Sequence, residues 1–208
     1  MADFDTHQST DRDELLQRVA LMETMIAEGR RSTARFGWIF VLWGLADIFG
    51  MGWQIYRPSY WVWPVAIGGA VILQFIGIAL RRKKGQWSST TLKSRSISAA
   101  WSMMGVATSL YCFTAMFSGH PFGAAYIAAI FMFVGLAHAT SAMILRWGVQ
   151  GFVAAIWWAG GVACFFVRSD MCFLYIFLAE MLFGMVFFGL YAMWLERRRA
   201  TDQVQQHA

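Results

Sequence analysis

Long apolar runs, each close to the length of a membrane crossing, alternate with short polar breaks along most of this chain. A helix needs roughly 20 residues to cross the hydrocarbon core of a bilayer. The runs predict spans over about 36–55, 62–80, 97–117, 122–145, 149–167 and 171–195. Lipid offers no hydrogen bonds to an open backbone, so each run reads as a closed helix rather than a strand. The three prolines, Pro58, Pro64 and Pro121, fall at or near span ends. Pro64 is compatible with the first turn of its helix. Their placement argues against the proline-broken helices that bind ions in some transporters.

Residues 1–35 form a polar N-terminal segment, and 196–208 a polar tail. The start is polar and acidic, without the basic-then-apolar order of a signal peptide. Within it, 11–31 predicts an amphipathic helix. Asp11 and Glu14 have the spacing of a capping box. Leu15, Val19, Met22 and Ile26 recur on one helical face. Such a helix suits the cytosolic lipid surface, self-association through two heptads, or recruitment of a partner.

Charge gives the runs a direction. Of the 17 Lys and Arg residues, all but Arg57 and Arg168 fall on one side if the spans alternate. The positive-inside rule puts that side in the cytosol, with both termini there. Trp53, Trp61 and Trp63 then mark the outer surface, and Trp38, Trp87, Trp101, Trp147 and Trp194 the inner one, as an aromatic belt requires. Trp157 and Trp158 fall mid-span and face lipid, core or a cavity. Topology and attraction to anionic lipid account for the net charge of +5 without nucleic acid. The run Arg81–Lys84 reads first as a stop-transfer signal.

Composition agrees. Of the 208 residues, 58% are apolar and 14% charged. A soluble domain has about 45–50% and about 25%, so this balance excludes disorder and argues against a soluble domain. Six crossings leave no length for a separate catalytic domain. The expected fold is an all-α integral membrane bundle of six helices. Small residues at Gly151, Ala155, Ala159 and Ala163 allow close approach of another helix, within the chain or in a homo-oligomer. Gly44-Leu45-Ala46-Asp47 recurs as Gly135-Leu136-Ala137-His138, a weak sign of a 3+3 inverted repeat.

Ionisable groups inside the spans carry the candidate chemistry. Asp47 and Glu180 lie near the centres of the first and sixth spans, His138 about a turn from the centre of the fourth, and Gln74 at similar depth in the second. A carboxylate at mid-bilayer costs about 2.5–3.5 kcal/mol on insertion scales. Two such acids, with a histidine that titrates near neutrality, point to a substrate- or proton-binding site. The alternative is structural, with a neutral acid hydrogen-bonded to fix helix register. Ser141 and His138 lack an evident oxyanion hole, so a serine bonded to its own helix is expected instead. Cys112, Cys164 and Cys172 share the outer third with His120. They are soft ligands for Cu(I) or Zn, but no CxxC or HxxxH accompanies them. Buried free thiols, or a Cys164–Cys172 disulfide, are the other readings. No GxGxxG, P-loop or HExxH occurs.

The expected function is transport or permeation of a small solute or cation, proton-coupled through the carboxylates, in a bacterial inner membrane. An interaction subunit without transport of its own is the first alternative. A metal- or redox-active protein using the Cys/His/Met group is the second. No cofactor is named by the sequence.

Overall fold

The computed structural model describes residues 14–24, 36–59, 61–83, 92–118 and 123–206, all helical or in short links between helices. Helix α1 covers 14–24. It is followed by α2 (Gly37–Tyr56), α3 (Val62–Lys83), α4 (Leu92–Phe117), α5 (Ala124–Leu145) and α6 (Gly148–Phe166). A last rod is formed by α7 (Asp170–Ala179), a π-helical segment (Glu180–Phe187) and α8 (Phe188–Gln206).

Among the described residues, five helices are long and apolar enough to cross a membrane: α2, α3, α5, α6 and the rod over Asp170–Arg198. Helix α4 is the difference from the six expected. Its 26 residues would extend about 39 Å, so length is not what it lacks. Ser96, Ser98, Ser102, Thr108, Ser109 and Thr114 dilute its apolar character. Ile97, Trp101, Met104, Thr108 and Tyr111 are buried or half-buried at helical spacing, and the rest of α4 is largely exposed. It therefore sits at the edge of the bundle, packed mainly on α5.

Of the expected N-terminal helix, 11–13 and 25–31 lie outside the described residues, and Asp11 and Ile26 with them. Glu14 pairs with Arg18 one turn away. Leu15, Val19 and Met22 are exposed.

The closest helix pair is α5 with α6. Their turn is a Schellman motif: the Trp147 N–H donates to Ala142 O at 3.0 Å, and the Arg146 N–H to Met143 O at 3.4 Å. Arg146 takes the left-handed conformation there, with φ 47°. Above the turn, Gly135 lies under the Trp158 ring, and Gly161 faces Ala128 and Met132.

Helix α2 packs on the last rod in the same way. A Cβ on Gly37 would lie 2.7 Å from Gly189 O, and one on Gly189 2.5 Å from Gly37 O, so the two backbones meet directly. One level up, Gly44 abuts Met185 and Val186. On the other side of α2, Trp38 lies across Gly77 of α3, with the Arg81 guanidinium 5.2 Å from its ring centre.

Two open sequence expectations can be placed within the chain. Ala155 and Ala159 are exposed, and Gly151 and Ala163 half-buried, so within the chain this stripe is not the main packing face of α6. That face is Gln150, Val153, Ala154, Trp157, Gly160, Gly161 and Cys164. The mid-span tryptophans divide the roles left open to them. Trp157 is buried in the core, and Trp158 is 39% exposed with its N–H directed at Met132 O.

A side chain at Gly189 must force the α2–α8 contact apart. Gly189→Val should cost about 1–3 kcal/mol, the range for overpacking, read as a lower midpoint of thermal unfolding in detergent. Gly69 has no neighbour within 4 Å of its Cβ position. Gly69→Val should stay within about 0.5 kcal/mol of the parent, as surface changes do.

Candidate functional site

The polar interior is arranged on two levels. Gly37 and Gly44 fix the alignment of α2 against the antiparallel last rod, and one further turn along α2 brings Asp47 level with Glu180. This is the upper level. The lower one contains His138, with Phe40 of α2 and Phe188 of α8 against its ring.

On the upper level, Glu180 opens the π segment. Segments of this kind are rare and frequently mark functional positions. The residue is 4% exposed, and its carboxyl is seated against Gly160 of α6. A Cβ at Gly160 would overlap Oε1. Oε2 is buried without a hydrogen-bond partner. One turn on, Gly184 meets the Trp157 indole, whose Nε1 is also buried and unpartnered. Phe131 packs edge-on to Trp157 at 5.2 Å and lies 6.3 Å from Phe177.

Asp47 is half-buried and points elsewhere. Phe40, Asp47 and Gln54 recur every seven residues on one face of α2. Trp43, one turn before Asp47, donates its indole N–H to Gln74 Oε1 of α3 at 2.6 Å. Asp47 thus lies on the flank of α2 between its α3-facing and rod-facing sides. Gln74 is engaged by Trp43 at the α2–α3 seam. Farther out on the Asp47 row, Gln54 Oε1 is buried without a partner.

The structure does not bring His138 to either carboxylate. The π segment of 8 residues separates Glu180 from Phe188, about 12 Å along the rod at the α-helical rise. His138 is fully buried among Trp101 at 4.9 Å, Phe188 at 5.1 Å and Phe40 at 5.5 Å between ring centres. Neither ring nitrogen has a hydrogen-bond partner. Ser141, also fully buried, accepts the Trp101 indole N–H at 3.0 Å. That overturns the expected bond from Ser141 to its own helix. Thr140 makes such a bond instead, to Leu136 O at 2.8 Å.

Sequence reasoning missed Gln150. It is fully buried in the first turn of α6, with both amide atoms unpartnered. It sits beside a predicted span boundary, where a glutamine reads as interfacial. Its signal is spacing: Gln150 precedes Trp157 by seven residues and Gly160 by ten, on one face.

The thiols do not gather. Cys112 lies beside Tyr126 at the α4–α5 seam, Cys164 is buried near Glu180, and Cys172 is exposed on α7. All three are free, so the Cys164–Cys172 disulfide is not formed. His120 lies outside the described residues. Among the described residues, no group of three or more His, Cys, Asp or Glu side chains is placed to hold a metal ion.

By the length and apolar composition of its five qualifying helices, the chain has the make-up of a multi-pass integral membrane protein. No protein-family model, curated protein or solved structure matches it.

The Glu180–Gly160 seat makes a quantitative test. Gly160→Ala should lower the unfolding midpoint by displacing the carboxyl, with a cost of about 1–3 kcal/mol. Glu180→Ala removes the obstructing group, so the double variant should recover most of that loss. A double-mutant cycle should give a coupling of about 1–2 kcal/mol, as for residues in direct contact.

Proposed function

We propose that this protein moves a small cation across the membrane, with Glu180 as the group that takes up and releases it. The observation that carries this reading is the placement of Glu180: in the membrane interior, at the head of a π segment, with one carboxyl oxygen unpartnered. The other oxygen lies against Gly160 and takes a backbone hydrogen bond there, so the unpartnered Oε2 is what fastening leaves unexplained. Asp47, level with Glu180 on the adjoining helix, supplies a second acid on the route. Gln54, on the same row of α2, leads from Asp47 toward the opposite end of α2 from Phe40.

The reading includes six crossings, with α4 as the sixth. Helix α4 is long enough, seats one face on α5, and places Arg95 on the same side as Arg81, Arg82 and Lys83. Six crossings return both termini to the cytosol, in agreement with the distribution of Lys and Arg. The membrane proposed is the bacterial inner membrane.

Two measurements test these statements. Epitope tags on the two ends should both be accessible from the cytosolic side alone. Accessibility from opposite sides would leave an odd number of crossings and remove α4 from the count. In proteoliposomes on a solid-supported membrane, the wild-type protein should give a cation-dependent current. Asp47→Asn and Glu180→Gln should each reduce it at least tenfold while keeping the gel-filtration profile of the parent. A wild-type signal no larger than that of empty liposomes overturns the function.

A further inference from the structure

No face of helix α1 is covered by the rest of the described chain. Every residue from Glu14 to Thr24 is exposed, and Leu15, Val19 and Met22 are 62%, 48% and 54% exposed. These three form one row along the helix, at spacings of four and three. In the sequence Ile26, outside the described residues, is the next member of the row. The row is narrow. Arg18 borders it on one side, and Leu16 and Glu23 on the other. Leu21 faces away from it, with Glu14 and Gln17.

The bundle leaves this row open, and a lipid surface does not match it. A helix that lies in a lipid surface has a strongly charged face rich in Lys and Arg. The charged residues of α1 are Glu14, Arg18 and Glu23, so its balance is acidic. A seam of three apolar residues with charges at its borders is the narrower pattern by which one helix packs along another.

We propose that α1 pairs with α1 of a second copy of this chain, as a parallel two-stranded coiled coil where the N-termini leave the membrane. The row reads in heptads with Leu15 and Met22 at d and Val19 at a. A β-branched residue at a, with a long residue that is not β-branched at d, is the choice of parallel dimers. The same register places Arg18 at g and Glu23 at the following e. In a parallel pair a g residue lies beside the e residue five positions on in the other strand. Arg18 of each copy therefore meets Glu23 of the other, twice by symmetry. Glu14 already binds Arg18 through one terminal nitrogen, and the guanidinium fork has further N–H donors for a second carboxylate. Antiparallel strands set g against g and e against e, which separates that pair.

Two heptads are short for a coiled coil free in water, where helices below about 12–15 residues are marginal. Copies held in one bilayer in the same orientation present their α1 helices side by side, at an effective concentration that a detached peptide lacks. The pairing involves no residue of the membrane interior and stands apart from the cation reading.

The test is oxidative cross-linking of the full chain in native membranes, with single cysteines placed on α1. The parent, with its free Cys112, Cys164 and Cys172, sets the background. Val19→Cys and Met22→Cys, on the seam, should give at least five times the disulfide-linked dimer of Gln17→Cys and Leu21→Cys, on the far side. Equal linking at the four positions, or none above the parent, overturns the pairing. So does a seam cysteine that links only to a protein of another mass. Glu23→Arg and Arg18→Glu should each lower the Val19→Cys dimer at least threefold. The two together restore opposite charges and should recover at least half of it, although Glu14 still loses its own partner. Failure to recover overturns the parallel register. Because the bundle does not cover α1, all these variants should keep the unfolding midpoint of the parent, which separates lost pairing from lost fold.

Discussion

Inside lipid the hydrophobic effect gives helices no reason to associate, because a lipid tail is as apolar as a leucine side chain. Close packing has to do that work, and in this bundle glycine makes the closest approaches. Gly37 and Gly189 bring α2 and α8 into backbone contact. Gly44 admits Met185 and Val186, Gly135 admits Trp158, and Gly184 admits Trp157. Each contact exchanges the flexibility of a glycine for dispersion contacts along two helices. The positions of the polar groups follow from these crossings. Glu180 reaches α6 because Gly160 has no side chain to stop it.

The same close packing sets the character of the polar interior. Soluble proteins satisfy buried polar atoms with backbone, side chains or ordered water, and exceptions call for an explanation. Here Trp101 with Ser141, and Trp43 with Gln74, are satisfied pairs of the ordinary kind. They join α4 to α5 and α2 to α3, and they behave as helix fasteners. Glu180, Trp157, His138 and Gln150 are different, because each keeps at least one buried side-chain atom without a polar partner. The residues that fasten helices are thus distinct from those left without polar side-chain partners. Gln74, which sequence alone grouped with the acids, belongs with the fasteners.

Much of the fold is legible from the length of the apolar runs, since a bilayer imposes that length directly. The helices α2, α3, α5 and α6 begin and end close to where the runs do. What sequence does not show is azimuth. The stripe Gly151, Ala155, Ala159 and Ala163 looks like a packing face, because small residues every four positions permit close approach. The neighbouring face of α6 is the buried one, chosen by where Trp157 and Gly161 find partners on α5. Depth is likewise readable without direction. Asp47 and Glu180 are expected at similar depth, but whether they face one another depends on helix rotation, which hydropathy does not encode. The π segment had no signal in the apolar pattern, because an inserted residue among Met, Leu, Phe and Val changes the twist of a helix without changing its hydropathy.

That inserted twist bears on where the acid stands in the bundle. Within the rod, Glu180 and Gly184 face α6 at Gly160 and Trp157, whereas Met181, Met185 and Val186 face α2 at Gly44. In an α-helix each residue advances the direction by about 100°, so adding or removing one residue per turn reorients everything before it relative to everything after it. The π segment takes up that rotation between two fixed contacts, Gly37–Gly189 below and the Glu180–Gly160 seat above. The carboxyl stands over the buried face of α6 at the head of this irregular stretch. In this bundle the rare helix geometry and the unpartnered acid are two aspects of one placement.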